Sequence, residues 1–313
     1  MIRTATWLVL VSLGLFGCTQ ITKVVRHDPR AQALALAAQA GLEHNTIPAG
    51  PFRLLTFSRG LATATSLIIY VEGDGHAWRS RRVPSSDPTP REPISLRLAA
   101  LDESPSVLYL ARPCQFLMPE ELAQCDRKYW TSHRYSPEVI SAMNSAIDSV
   151  LSSERMNGKA ISIGLVGHSG GGTIAALIAA SRDDVAWLVT VAGNLDHEAW
   201  TKWHGVTPLI ESLNPADAIM QLHGIPQVHL LGERDQIVPS SVVDSFRSRL
   251  GNRAQVVVET VSDFDHRCCW EKVWPEIACR HLAALGKIGF TPCRSGWPGG
   301  TPSTKQRRTQ RAK

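Results

Sequence analysis

Metal-binding spacings are missing from this chain of 313 residues. Its seven cysteines include no C-x-x-C pair and its eleven histidines no His-x-x-x-His, so a zinc site has little to stand on. Internal repeats are missing too, which sets aside solenoids and propellers. So is any surplus of charge over the body. The formal net charge is +5, but residues 304–313 carry five Lys or Arg and no acid, and without them the count is zero. The pI therefore gives no ground for nucleic-acid binding. The tail reads as a solvated basic segment able to touch anionic lipid. The N-terminal apolar run, Trp7 to Phe16, spans ten residues, too few to cross a bilayer as a helix.

What is present is an ordinary globular composition, 43% hydrophobic and 19% charged, enough for one large domain or two small ones. Arg3 followed by the short apolar run reads as a secretory signal over residues 1–17. The stretch Leu15-Phe16-Gly17-Cys18 resembles a bacterial lipobox, which implies cleavage before Cys18 and lipid on its thiol. Several acyl chains give firm anchoring. The expected location is the cell envelope, at the outer membrane or periplasmic face, since Thr19 is not the aspartate of inner-membrane retention. Plain secretion is the alternative. Residues 18–50 read as a linker and a helix, 51–290 as the folded domain and 291–313 as the basic tail.

Behind a signal sequence, an even set of cysteines suggests disulfides. Apart from Cys18, six remain: Cys114, Cys125, Cys268, Cys269, Cys279 and Cys293. Fifteen pairings are possible. The local set joins Cys114 to Cys125, and Cys268 and Cys269 to Cys279 and Cys293 in some order.

From residue 107 onward, apolar strand-like runs alternate with helical patterns. Strands are expected at 107–111, 161–166, 185–192, 228–231 and 255–261, after earlier ones at 52–57 and 67–71. Helices are expected at 29–42, 94–101, 136–156, 173–180, 238–250 and 270–285, the third opened by Ser136-Pro137-Glu138, a cap, a first-turn proline and an acid. Residues 79–93, with four prolines, read as a loop. This order argues for an α/β fold with a mostly parallel sheet and helices on both faces. The segment His197–Gly224, with Trp200, Trp203 and His204, is either a cover over the site or a surface helix with packed tryptophans.

Gly167-His168-Ser169-Gly170-Gly171 lies between an expected strand and an expected helix. A Gly-x-Ser-x-Gly there is the sequence of a nucleophile elbow, which projects the serine above the sheet. Chance gives the pattern in roughly one chain in ten of this length, so the residues downstream must decide. A serine hydroxyl needs a base, and the base needs an orienting acid. Asp235 follows the strand at 228–231 and His266 follows the strand at 255–261. Asp263, Asp265 and Glu233 are the rival acids. His168 adjoins the serine, but its side chain is expected to point away from the hydroxyl. Backbone N–H groups for an oxyanion are expected from Gly170 and from Asp74 or Gly75, in the loop Glu72-Gly73-Asp74-Gly75 after the strand at 67–71.

This order resembles the α/β-hydrolase superfamily across residues 50–285. More narrowly, four stretches are similar to those of bacterial α/β-hydrolase lipoproteins: Tyr70–Gly75, Arg112–Gln115, Trp130–Ser136 and Asp265–Trp270. Glu72 stands where many esterases carry a histidine. The resemblance implies a serine hydrolase and leaves the substrate open. The expected reaction is hydrolysis of a small-molecule or lipid carboxylic ester by Ser169, His266 and Asp235, without metal or cofactor. The alternatives are a peptidase or acyltransferase on the same fold, and an inactive envelope binding protein.

Overall fold

The computed structural model describes residues 28–153, 161–251 and 254–284. Ten strands and nine α-helices are described there. The strands are β1 (Glu43–Ala49), β2 (Phe52–Arg59), β3 (Ser66–Val71), β4 (Trp78–Ser80), β5 (Val83–Pro84), β6 (Val107–Leu110), β7 (Ser162–His168), β8 (Val185–Val191), β9 (Gln227–Gly232) and β10 (Val256–Val261). The helices are α1 (Pro29–Gln39), α2 (Ile94–Leu101), α3 (Pro119–Leu122), α4 (Pro137–Leu151), α5 (Gly170–Ser181), α6 (His197–His204), α7 (Ile219–Leu222), α8 (Ser240–Leu250) and α9 (Trp270–Ala284).

Eight strands form one sheet in the order β1-β2-β6-β3-β7-β8-β9-β10. From β6 to β10 all neighbours are parallel, while β2 is antiparallel to β1 and β6. The mostly parallel sheet expected from sequence is therefore present, covered on both faces. Alternate residues of β3 feed opposite cores, as a strand's period of two requires. Leu67, Ile69 and Val71 pack with α4, α5 and α8, whereas Ile68 and Tyr70 pack with α1, α2 and α9.

Several elements differ from the sequence reading. Residues 18–50 read as linker and helix, but Glu43–Ala49 is the edge strand, in register with Phe52–Ser58. Its sequence EHNTIPA is mostly polar and exposed, and Pro48 is tolerated because an edge strand needs only one ladder. The expected loop at 79–93 contains the short β4–β5 hairpin. Cys18, the signal and lipid-attachment segment and the basic tail lie outside the described residues.

Crossovers in a parallel sheet place βα loops at the carboxyl edge, where open α/β folds gather their sites. The turns after β3, β7, β8, β9 and β10 all open there.

Candidate active site

The turn from β7 into α5 is built from close approaches. Ser169 adopts φ 54° and ψ −123°, a conformation that costs a non-glycine residue on the order of 1–3 kcal/mol. Surrounding hydrogen bonds hold it. Its N–H donates to the Val191 carbonyl at 3.0 Å, and its carbonyl accepts from Gly172 at 3.0 Å and Asn194 at 3.2 Å. A Cβ on Gly167 would fall 2.2 Å from the Gly171 oxygen, so only glycine lets strand and helix meet this closely.

Three side chains from three loops converge. His266 Nε2 lies 2.9 Å from Ser169 Oγ, and His266 Nδ1 lies 2.8 Å from Asp235 Oδ2. The Asp235 side chain is 1% exposed and that of His266 11%. The other Asp235 oxygen accepts the N–H groups of Ile237 and Val238, both at 2.8 Å. The carboxylate is thereby fixed in orientation, one oxygen on the imidazole and one on its own turn.

None of the rival acids reaches His266. Asp263 pairs with Arg234, Asp265 accepts N–H groups of Arg267 and Cys268, and Glu233 accepts the N–H of Asp263. His168 makes no hydrogen bond to the Ser169 hydroxyl, which meets His266 instead. The His168 Nε2 donates to the His266 carbonyl at 2.9 Å. Burial, with nearby His266 adding to it, pushes the His168 ring down to about 3. It is neutral, so one nitrogen is free of a proton and the other donates.

The loop after β3 crosses directly over the elbow. A Cβ on Gly73 would sit 3.6 Å from Ser169 Cβ, and one on Gly170 would sit 2.1 Å from Asp74 Oδ1. Gly75 has φ +65° and lies against the Pro88 oxygen, which excludes any side chain there. The flanking N–H groups are occupied: Gly73 donates to Glu72 Oε1 and His76 to the Pro88 carbonyl, both at 2.9 Å. The N–H of Gly170 and those of Asp74 and its alternative Gly75 are thus not spent on acceptors within the described residues.

A clamp that residue-level reasoning missed holds this loop. Gln115 Nε2 donates to the Gly73 carbonyl at 2.9 Å, and its Oε1 accepts the Arg112 N–H at 3.2 Å. The Asp74 carboxylate receives the Arg112 guanidinium, Arg134 Nη1 at 3.0 Å and the Tyr135 hydroxyl at 3.0 Å. Arg112 also binds the Arg134 carbonyl. Burial alone would raise the Asp74 carboxyl, but the two guanidiniums outweigh it and hold it at about 2. These residues lie in the Arg112–Gln115 and Trp130–Ser136 stretches. The available signal was arginine in an apolar setting, since a buried guanidinium demands a carboxylate.

Glu72 is the opposite case. It is 2% exposed and is bonded to Gly73 N–H and, at 3.1 Å, to the Tyr109 hydroxyl. Burial pushes its carboxyl up to about 7.

Of the expected disulfides, Cys114–Cys125 is formed, with Cα atoms 5.9 Å apart. Cys268 and Cys269 bond to each other, which corrects the pairing with Cys279 and Cys293. Cys268 and Cys269 both lie in the turn that Asp265 holds through the N–H groups of Arg267 and Cys268. The Cys279 side chain and Cys293 lie outside the described residues. The segment 197–224 contributes α6, packed beside the site. Trp200 Nε1 and His204 Nε2 both donate to the Ile237 carbonyl, at 2.6 and 2.8 Å.

No family model matches the chain, and none of the curated proteins matches its sequence. Solved structures share its fold. An esterase of Pyrococcus furiosus aligns over 79% of this chain and 91% of its own, with TM-score 0.54 and 13% identity. Est1E from Butyrivibrio proteoclasticus aligns over 77% and 98%, with TM-score 0.53 and 14% identity. An acylaminoacyl peptidase of Pyrococcus horikoshii aligns over 82% of this chain and 42% of its own, with TM-score 0.56 and 12% identity. The chain has the α/β-hydrolase fold.

Proposed function

We propose that this chain is a serine hydrolase that cleaves a carboxylic ester through an acyl-enzyme. One observation carries the reading: Ser169 Oγ, His266 and Asp235 form a continuous hydrogen-bonded line, with open N–H groups beside the hydroxyl. In the first half-reaction Ser169 Oγ attacks the ester carbonyl while His266 Nε2 takes its proton. The imidazolium is stabilised by buried Asp235. Negative charge on the carbonyl oxygen is met by the N–H of Gly170 and that of Asp74 or Gly75. The intermediate collapses, the C–O bond breaks, and His266 returns the proton to the leaving alcohol. In the second half-reaction water attacks the acyl carbon, His266 takes its proton, and the acid departs as Ser169 regains its own.

These steps call for no metal or organic cofactor. The neighbours of known type include an esterase and an acylaminoacyl peptidase, so amide cleavage by the same residues is the second reading. A panel of p-nitrophenyl esters of rising chain length beside matched anilides tests both. Turnover of esters lost in Ser169→Ala is the expected result. Turnover of anilides alone establishes the peptidase, and turnover of neither contradicts the proposal.

The lipobox-like Leu15–Cys18 stretch supports a lipid-anchored protein of the cell envelope. Incorporation of labelled palmitate, abolished by Cys18→Ser, is expected. Equal labelling of both forms, or of neither, contradicts it.

A further inference from the structure

We infer that the β4–β5 hairpin and the outer end of α6 form a docking surface for an anionic lipid bilayer at the sheet edge that carries Ser169. Residues 76–86 contain three arginines and no acid. Every residue from Trp78 to Val83 is exposed. Among the described residues, Arg79 and Arg82 have no ion-pair partner, and Arg81 donates to the His204 carbonyl at 3.1 Å. That bond joins the hairpin to α6, which in turn binds the Ile237 carbonyl.

The three linked segments follow β3, β8 and β9, so they share the carboxyl edge with Ser169, Asp235 and His266. They expose Trp78 at 38%, Trp203 at 58% and Ile237 at 49%, interleaved with Arg79, Arg82 and Lys202. A single exposed tryptophan needs no explanation. Two of them set among unpaired cations, on the edge that holds the site, match what a membrane interface selects. Indole rings sit at headgroup depth, guanidinium forks bind phosphate in pairs, and basic residues add attraction to anionic lipid. Nearby acids are engaged elsewhere: Asp87 accepts the Thr89 N–H, and Glu198 lies 3.7 Å from Arg249. The ridge sets unpaired cations among apolar tips, the pairing of headgroup charge and interfacial depth that a bilayer offers. Together with the proposed ester chemistry, the arrangement delivers an acyl ester to Ser169 without passage through bulk water. The docking itself does not depend on that reading.

Hydrogen-exchange mass spectrometry on the full-length Ser169→Ala chain removes turnover from the test. Vesicles of phosphatidylcholine with one third phosphatidylglycerol are compared with phosphatidylcholine alone. On the anionic vesicles, amides of residues 78–84 and 200–204 are expected to exchange about fivefold or more slowly. Adding Trp78→Ala, Arg79→Gln and Arg82→Gln restores the lipid-free rates at residues 200–204, with thermal unfolding unchanged. Failure to co-sediment overturns the inference. So do unchanged exchange on bound vesicles, and protection confined to residues before Asp28, which would mean N-terminal anchoring only. Slowing that scales with protein concentration and needs no lipid assigns the ridge to a second copy and overturns it likewise.

Discussion

His168 donates its Nε2–H to the main-chain carbonyl of His266 at 2.9 Å. The elbow therefore holds the opposite histidine twice, through the Ser169 hydroxyl on its ring and through His168 on its backbone. Trp270 Nε1 adds a third contact to the same carbonyl at 3.4 Å. In the proposed reaction this makes His168 a positioning residue for His266.

Replacing His168 with Leu keeps an apolar side chain in the space and removes the donor. The His266 carbonyl is left with the longer Trp270 contact alone, and a lost hydrogen bond of this kind costs about 0.5–1.5 kcal/mol. The expected result is a kcat about tenfold lower with KM little changed, and partial recovery with His168→Gln. Steady-state kinetics on a soluble ester measure it, and an unchanged kcat in the Leu variant contradicts the positioning role.

The loop over the elbow depends on Gln115. Gln115→Leu strands the Gly73 carbonyl and the Arg112 N–H, both buried. Misplaced oxyanion donors cost about 10²–10³ in kcat where they have been removed outright. Loosening them is expected to cost about 10- to 100-fold in kcat/KM. Kinetics alongside a thermal melt separate this from global unfolding. A melt that falls with kcat/KM unaffected assigns Gln115 to stability alone.

Two buried histidines make acid destabilising. Burial pushes both His168 and His229 down to about 3, below the unfolded value near 6.5. Between those values the unfolded chain binds protons that the native chain does not, so stability falls as pH drops through 6.5. Each group loses up to about 1.4 kcal/mol per pH unit in that window. Urea unfolding at pH 7, 6 and 5 is expected to show a shallower decline in wild type, because Glu72 works in the opposite direction.

Glu72 is raised to about 7, above its unfolded value. The native chain then binds the extra proton between about 4.5 and 7, and that stabilisation is lost as pH rises through 7. Glu72→Gln keeps an acceptor for Gly73 N–H, while its amide nitrogen turns a donor toward the Tyr109 hydroxyl, which rotates to accept. It is expected to stabilise the protein by about 2–3 kcal/mol at pH 8 and to steepen the acid decline. Equal stability of variant and wild type at pH 8 contradicts this.

The site was legible where function follows from order along the chain. Ser169, Asp235 and His266 each come just after a strand, and a parallel sheet places all such positions on one edge. Gly73 to Gly75 was legible for the same reason. The clamp was not, because Arg112, Arg134 and Tyr135 reach Asp74 across 38, 60 and 61 positions, and no periodicity encodes such contacts. Strand β1 was hidden because an exposed edge needs no apolar alternation. The Cys268–Cys269 bond was hidden because a cysteine count constrains parity but not partners.

Labelling of the folded full-length chain with a fluorophosphonate probe examines the Ser169–His266–Asp235 line directly. Covalent modification at Ser169, absent in Ser169→Ala and slowed by about 10³-fold or more in His266→Asn, is predicted, since a serine without its base is barely nucleophilic. No labelling of wild type, or undiminished labelling of Ser169→Ala, would contradict the assignment of Ser169 as the nucleophile.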